Sequence, residues 1–251
     1  MKKIRFILSI HIMICLFISS CQKTPLTNGD VITKTRVLSG FNSIHLYNNI
    51  DVTLIESDCS KIEITTGENL MNKITNVISD STLHLKNENT LNWIRSYDYP
   101  LEAKIYFDGK LSSITYESVG NLTSLGYIHQ DSSSDFELNL HEAAGKIDLD
   151  IVCRNLYIKS YDFDCTSDIT IKGMSDYAMV YQTGLGPIHM EDFTSRQTYA
   201  YSYNYNDIYI HSTDFLHADI HSSGSIYYKG HPEISLNISP NALGKLIPYL
   251  Y

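Results

Sequence analysis

Short segments of alternating apolar and polar residues, separated by turns, follow one another along most of the chain. Within them one tripeptide recurs, made of a small turn residue, a variable residue and an aliphatic residue. It returns every 18 to 25 residues, at Gly120–Leu122, Gly145–Ile147, Ser167–Ile169, Gly186–Ile188, Asn206–Ile208 and Gly224–Ile226. A period of about 20 with short strands is typical of stacked coils. The sequence therefore predicts an all-β, single-domain parallel β-solenoid (β-helix-like) with coils of roughly 20 residues.

Alignment of the coils on the tripeptide predicts which side chains face the core. The aliphatic residue and the residue two positions later form an inward column: Ile147/Leu149, Ile169/Ile171, Ile188/Met190, Ile208/Ile210 and Ile226/Tyr228. The first outward column is Asp148, Thr170, His189, Tyr209 and Tyr227, and the next is Asp150, Lys172, Glu191, His211 and Lys229. We interpret this second column as a structural ladder of alternating charge, with neighbours about 4.8 Å apart. Each exposed pair then contributes at most about 1 kcal/mol.

Tyrosine is concentrated in the second segment of each coil, and the chain holds 19 tyrosines. If Val180, Ala200 and Ala218 face inward, an aromatic patch faces outward. Its members are Tyr177, Tyr181, Tyr199, Tyr201 and Tyr203, with Tyr205 at its margin. Such a patch suits sugar rings or the apolar surface of a partner. The opposite orientation, in which the tyrosine rings fill a wide core, is an alternative that the sequence alone does not exclude.

The N-terminus has the layout of a secretory signal, with Lys2, Lys3 and Arg5 before an apolar run from Phe6 to Ile18. Ile18-Ser19-Ser20-Cys21 resembles the bacterial lipobox, which implies that Cys21 is acylated and begins the mature protein. The alternatives are an ordinary signal peptide with a chance cysteine and a retained membrane anchor. We predict a lipoprotein signal peptide at 1–20, a polar tether at 21–36 and the solenoid at 37–232. A C-terminal tail at 233–251 is expected to cover the open end of the solenoid.

A family resemblance rests on the order and spacing of several weak motifs. They are Phe41-x-x-Ile44, Ile50–Leu54, Ile62-x-Ile64, Asn69-Leu70, Leu83-x-Leu85, Leu111-x-x-Ile114, the Gly-x-Ile repeats and Gly224–Pro232. Together they resemble the head GIN domain of bacterial putative auto-transporter adhesins, in a lipoprotein of the Bacteroides type, over roughly residues 37 to 232. Asn48-Asn49, Ser167 and Asn206 replace glycines usual in that family. The resemblance implies adhesion as a label and supplies no catalytic residues.

The segment from Asn87 to Pro100 interrupts the alternation and carries the single tryptophan. Trp93 and Tyr97, beside Arg95 and Tyr99, have the composition of a ligand contact site. The same aromatic residues would also serve as a cap folded over one end of the solenoid. Both interpretations stay open.

Charge and cysteine content narrow the choice of partner and compartment. The formal net charge is −9, and loss of the basic signal segment makes it more negative, which argues against nucleic acid. After the signal, Cys59, Cys153 and Cys165 remain in the folded part, so at least one is unpaired. A disulfide between Cys153 and Cys165 and burial of both as small apolar residues are the two alternatives.

No catalytic constellation, cofactor site or metal site is predicted. His217 and His221 lie about 13 Å apart on a strand, and His189 and His211 lie on a diagonal between coils. We interpret Asp162, Asp164 and Asp168 as solvated turn carboxylates.

The prediction is an exported, lipid-anchored, non-catalytic adhesion module for a glycan or an envelope partner. Because no acidic run follows Cys21, the periplasmic face of the outer membrane is favoured over the cell surface. The alternatives are a polysaccharide lyase or hydrolase on a β-helix scaffold and a purely structural envelope protein.

Overall fold

The computed structural model describes residues 27–90, 99–130 and 133–249. Within these ranges the chain forms eighteen strands and one helical turn, α1 (Glu68–Met71). The strands are β1 (Val31–Val37), β2 (Ser43–Asn48), β3 (Asp51–Glu56), β4 (Lys61–Gly67), β5 (Ile74–Ser79), β6 (Thr82–Asn87), β7 (Glu102–Phe107), β8 (Ser113–Ser118), β9 (Leu122–His129), β10 (Asp135–Leu140), β11 (Lys146–Val152), β12 (Asn155–Ser160), β13 (Asp168–Gln182), β14 (Ile188–Ser202), β15 (Ile208–Ile220), β16 (Ile226–Lys229), β17 (Glu233–Ile238) and β18 (Leu246–Pro248). They build a β-solenoid of about 6 turns with roughly 21-residue coils, which confirms the predicted fold class.

Two parallel faces run the length of the solenoid. Face A stacks β6, β2, β8, β10 and β12, then the second halves of β13, β14 and β15, and finally β17. Face B stacks β7, β3, β9 and β11, then the first halves of the same three long strands, and finally β16 and β18. Because β13, β14 and β15 bend from face B to face A, each belongs to both.

The core lies between the two faces and follows the predicted inward column. Ile147, Leu149, Ile171, Ile188 and Ile208 are all completely buried. Each aliphatic residue stacks on its equivalent in the next coil, as Ile169 does on Ile188. Full burial of one such side chain stabilises the fold by roughly 1.5–3 kcal/mol, so the column is the main source of coil-on-coil stability.

The recurring tripeptide turns the chain at a corner where adjacent coils almost touch. A Cβ atom on Gly145 would lie 1.9 Å from the carbonyl oxygen of Gly120, and one on Gly186 would lie 1.8 Å from that of Ser167. Neither Gly145 nor Gly186 has a positive φ. Glycine is therefore required here for close backbone approach rather than for left-handed backbone geometry.

The N-terminal end of the solenoid is closed by strands that run against the parallel order. β4 pairs antiparallel with β7, β1 with β4, and β5 with β6. Leu70 and Met71 of α1 are buried. The spatial order also departs from chain order, since β2 and β3 lie between the coil of β6–β7 and the coil of β8–β9. Residues 31–36, which the sequence assigned to the polar tether, are part of β1.

The C-terminal tail, which we expected to cover the open end, adds one more parallel coil to the solenoid. β17 pairs parallel with β15, and β18 with β16. Ile234, Leu236 and Ile238 occupy the inward positions of β17, yet they are 43%, 49% and 42% exposed. Their column neighbours in β15 are completely buried: Leu216, Ala218 and Ile220.

The predicted charge ladder on face B holds only in part. Asp150 lies opposite Lys172 and His211 opposite Lys229, as expected. The pairing of β14 with β15 shifts between Met190 and Thr194, so His211 lies opposite Thr194 and not Glu191. This irregularity occurs where β14 bends between faces, and bulges are typical of such bends. Lys172 instead contacts Asp148, at 3.2 Å between Nζ and Oδ1.

All three described cysteines are unpaired in this structure. Cys59 is exposed, whereas Cys153 and Cys165 are buried. Burial raises the pKa of the Cys153 thiol to about 12, so this cysteine is an inert apolar residue. The geometry matches the alternative of buried small side chains.

Candidate binding face

The tyrosines of the predicted patch point outward from face A. Ala178, Val180, Ala200 and Ala218 alternate with them and are completely buried. Tyr177, Tyr181, Tyr199, Tyr201 and Tyr203 are all half-buried, and each ring lies beside at least one other ring of this set. Tyr205 lies in the following turn and is 72% exposed. The tyrosine side chains therefore face outward, which decides between the two orientations that the sequence left open.

Strand register brings the rings together into one surface. Met179, Tyr199 and His217 lie opposite one another in successive coils, and Tyr181 lies opposite Tyr201 in the next column. Ring centroids are 5.4 Å apart for Tyr177 and Tyr199 and 5.5 Å for Tyr199 and His217. We call the connected set the aromatic face: Tyr157, Tyr177, Tyr181, Tyr199, Tyr201, Tyr203, Phe215, His217 and His221.

Four members of this surface were not among the predicted site residues: Tyr157, Phe215, His217 and His221. The signal that could have found them is the strand register. Tyr157 and His217 occupy the column of Tyr199, and Phe215 occupies the column of Tyr177. His221 stacks on Tyr203.

Contacts at one edge hold the rings in place. The rings of Tyr203 and His221 stack with centroids 4.3 Å apart and 12° between their planes. His221 Nε2 lies 2.9 Å from Asp219 Oδ1, and its Nδ1 lies 2.7 Å from Ser239 Oγ. A surface fixed in this way loses little conformational entropy when a ligand binds.

The hydroxyls of Tyr177 and Tyr203 remain hydrogen-bond donors at neutral pH. Burial raises the pKa of Tyr177 and of Tyr203 above the usual value for tyrosine, so both stay protonated. The aromatic face therefore offers flat apolar ring surfaces together with hydroxyl groups along their edges.

A shallow depression of about 400 Å³ adjoins Tyr157 and Tyr177. It is lined by charged and amide side chains as well as the two rings: Arg154, Asn155, Asp176, Arg196 and Gln197. Arg196 is oriented by Asp214, with 3.0 Å between Nε and Oδ2. Polar groups able to donate and accept hydrogen bonds thus flank the apolar surface.

Face B carries a narrower aromatic stack. His189, Tyr209 and Tyr227 stack in successive coils, with centroid separations of 4.9 Å and 4.8 Å and interplanar angles of 10° and 12°. Tyr249 contacts Tyr209 edge-on at 6.0 Å. Because the rings lie face to face along one column, they present edges rather than broad ring surfaces to solvent.

The histidine pairs weighed as metal ligands have separate partners. His217 Nδ1 lies 3.1 Å from Ser235 Oγ, and His211 Nδ1 lies 3.2 Å from Thr194 Oγ1. Among the described residues, the potential ligand atoms that lie within 4.8 Å of one another belong instead to Asp162, Asp164 and Cys165. Asp164 is exposed and Asp162 is half-buried, whereas Cys165 is buried.

The acidic group lies at a turn, and His141 Nδ1 lies 3.1 Å from Asp162 Oδ2. Asp168 lies apart from it at the start of β13, opposite Lys146 in β11. The remaining predicted site residues, Cys21, Trp93 and Tyr97, lie outside the described residues.

Comparison with known proteins identifies the family. A model described as "Putative auto-transporter adhesin, head GIN domain" matches residues 40–232. The chain belongs to this family. The predicted resemblance, over roughly residues 37 to 232, is thereby confirmed. No curated protein matches the chain.

Three solved structures similar to this head GIN chain come from Bacteroides and Parabacteroides species. A putative adhesin from Bacteroides fragilis NCTC 9343 has a TM-score of 0.78 at 20% identity, covering 89% of this chain and 99% of that one. A putative adhesin from Parabacteroides merdae has a TM-score of 0.60 at 21% identity, with coverage of 89% and 98%. A putative lipid binding protein from Parabacteroides distasonis has a TM-score of 0.64 at 21% identity, with the same coverage. At these identities the likeness establishes the fold alone.

Proposed function

We propose that this head GIN protein is an exported, lipid-anchored, non-catalytic module of the cell envelope whose aromatic face binds carbohydrate. The observation that carries the proposal is the connected, outward-facing set of rings on β13, β14 and β15. Membership of an adhesin-type family favours a binding module over an enzyme.

Carbohydrate fits the chemistry of the aromatic face better than an acyl chain does. A sugar ring has one apolar side and several hydroxyls, which match a flat ring surface bordered by hydrogen-bonding groups. Tyr199 supplies the ring at the centre of the face, and Gln197 and Asn155 supply amides near its edge. The face is an open surface, whereas ligand pockets bury most of a small ligand's surface. We therefore assign lipid recognition, for which the Parabacteroides distasonis protein is named, no role on this face.

The test of this assignment compares two tyrosines in similar strand positions. Tyr199→Ala removes the central ring of the aromatic face, whose neighbours are Tyr177, Phe215 and His217. We expect at least a tenfold loss of affinity for the best ligand on an array of neutral and uronate-containing oligosaccharides, because one stacked ring contributes about 1.5 kcal/mol or more. The measurement is isothermal titration calorimetry with that ligand.

The matched control is Tyr209→Ala, which removes a stacked, half-buried tyrosine from face B. This variant should bind with unchanged affinity, and both variants should melt at similar temperatures. Equal loss of affinity in the two variants, or an array on which no oligosaccharide binds, would contradict the assignment.

Export and anchoring rest on the sequence of the first 21 residues, which has the layout of a signal followed by an acylated cysteine. Among the described residues, no helix is long and apolar enough to cross a membrane. We propose that two or more acyl chains on Cys21 hold the protein at the membrane, since one chain binds only marginally. Cys21→Ser should shift the protein from the membrane fraction to the soluble fraction. Retention of this variant in the membrane fraction would rule out the anchor.

A further inference from the structure

The C-terminal end of the solenoid exposes side chains that every preceding coil buries. In β15, Leu216, Ala218 and Ile220 are completely buried against the coil that follows. The residues directly opposite them in β17 are the half-exposed Ile234, Leu236 and Ile238. Leu243, in the turn between β17 and β18, is 78% exposed. An apolar surface concentrated at one end in this way marks an interaction site.

Backbone groups at this end lack a neighbouring strand as well. Among the described residues, β17 pairs with β15 on one edge only, and β18 with β16 on one edge only. β17 spans six residues without a proline, so its outer edge can accept another strand along its whole length. In β18, Pro248 lacks an N–H donor, which leaves β17 as the main pairing edge.

Each coil inside the solenoid packs against the next coil. The exposed end of a second solenoid offers the surface most similar to that next coil. Inside the solenoid, aliphatic residues of one coil stack on aliphatic residues of the next, and both faces pair at once. The N-terminal end cannot supply such a surface, because its outermost strands are antiparallel and the residues of β1 are mostly exposed and polar, including Lys34. The C-terminal end of a second copy can, since it has the same cross-section and the same exposed column.

We propose that two copies of this chain associate through their C-terminal ends about a two-fold axis, with β17 of one copy antiparallel to β17 of the other. Directly opposite residues of an antiparallel pair point to the same side. Residues of β17 that point to the core must therefore lie opposite other residues that point to the core. This occurs only when the two-fold axis passes between the two copies of a single residue of β17. With the axis at Leu236, the two Leu236 side chains face each other and Ile234 faces Ile238 of the second copy.

The charges of the end coil are compatible with this register. The two Glu233 residues lie about 20 Å apart, which is beyond the screening length of about 8 Å in physiological salt. Each Glu233 lies opposite the neutral Ser239 of the second copy. Because Glu233 is exposed at the edge of the single chain, the register leaves no charge of β17 buried against a like charge.

The two-fold arrangement continues face A from one copy into the other. The aromatic faces of both copies then lie on the same side of the assembly. Two such surfaces on one rigid body would bind a polymeric ligand with higher avidity than either surface alone.

The test begins with the mass of the full chain in detergent solution. Multi-angle light scattering should give a dimer at micromolar concentrations, and Leu236→Lys should give a monomer with an unchanged far-UV spectrum, because two buried ammonium groups would face each other. The matched control is Leu125→Lys on β9, where the leucine is 68% exposed and lies away from the end. This control should remain dimeric.

A cross-linking experiment fixes the register without a charged substitution. Leu236→Cys places two thiols on the two-fold axis, at a Cα separation of about 5 Å that suits a disulfide. Mild oxidation should give a covalent dimer of this variant. The unmodified chain, which already carries the exposed Cys59, and Leu125→Cys should give none. A monomer at all concentrations up to about 100 μM, or cross-linking equal in all three chains, would overturn the proposal.

Discussion

Two ends of one solenoid are completed in opposite ways. At the N-terminal end, β1, β4 and β5 run antiparallel to the strands with which they pair. Buried aliphatic residues of β4 and β5, such as Ile62 and Ile74, close the core. At the C-terminal end, β17 and β18 keep the parallel order of the coils, and the core column continues to the surface. Regular repetition extends the core but cannot close it, because each coil needs another beyond it. Closure requires a segment that departs from the repeat.

The largest expected contrast is between aliphatic residues that occupy equivalent core positions at the two ends. Ile62 of β4 is completely buried, whereas Ile238 of β17 is 42% exposed. Ile62→Ala should lower the free energy of unfolding by about 2–5 kcal/mol, as expected for a buried site. Ile238→Ala should lower it by less than about 1 kcal/mol, since much of its surface is already in water.

Urea unfolding at submicromolar concentration, where the chain is monomeric, measures both changes. Repeating the experiment at a concentration that favours the dimer should raise the cost of Ile238→Ala and leave that of Ile62→Ala unchanged. Equal costs for the two substitutions at low concentration would mean that the C-terminal end is closed like the N-terminal one.

A smaller contrast is expected for the corner glycines. Gly186 lies between Ser167 and Asn206 of the adjacent coils, and a Cβ atom there would lie 1.8 Å from the carbonyl oxygen of Ser167. Gly244 lies in the last coil, where a Cβ atom would lie 2.1 Å from the carbonyl oxygen of Gly224. Gly186→Ala should destabilise the fold by about 3 kcal/mol, because the chain is confined on both sides.

Gly244→Ala should cost only about 1 kcal/mol, since the last coil can move away from its single neighbour. Thermal unfolding followed by circular dichroism compares the two variants. A larger drop in melting temperature for Gly244→Ala than for Gly186→Ala would show that the last coil is as confined as an internal one.

The parts of the fold that repeat are the parts that the sequence predicts. The inward column at Ile147, Ile169 and Ile188 and the corner at Gly186 follow from a period of about 20 residues and from strand alternation. The outward direction of Tyr199 required the structure, because tyrosine suits both a wide core and a half-wet surface. Once Ala200 is known to be buried, the register fixes the other rings of the aromatic face.

Features that break the repeat could not be derived from it. The antiparallel pairing of β1 with β4 joins residues far apart in the chain, and no periodic signal specifies that partner. The shift near Glu191 arises from the bend of β14 between the two faces, so it displaced one member of the predicted charge ladder. The exposure of Ile234 and its neighbours in β17 could not be predicted, because an apolar tail is usually expected to cover a core.

The position of β2 and β3 in the interior of the stack has a consequence for how the protein folds. Ser43 pairs with Ser113 across 70 residues of chain, whereas later coils close across about 20 residues. Closing the longer loop costs more entropy and slows folding. We therefore expect closure of the N-terminal coils, which requires β8 to pair with β2, to be the slow step of folding. The remaining coils should then add rapidly, one after another.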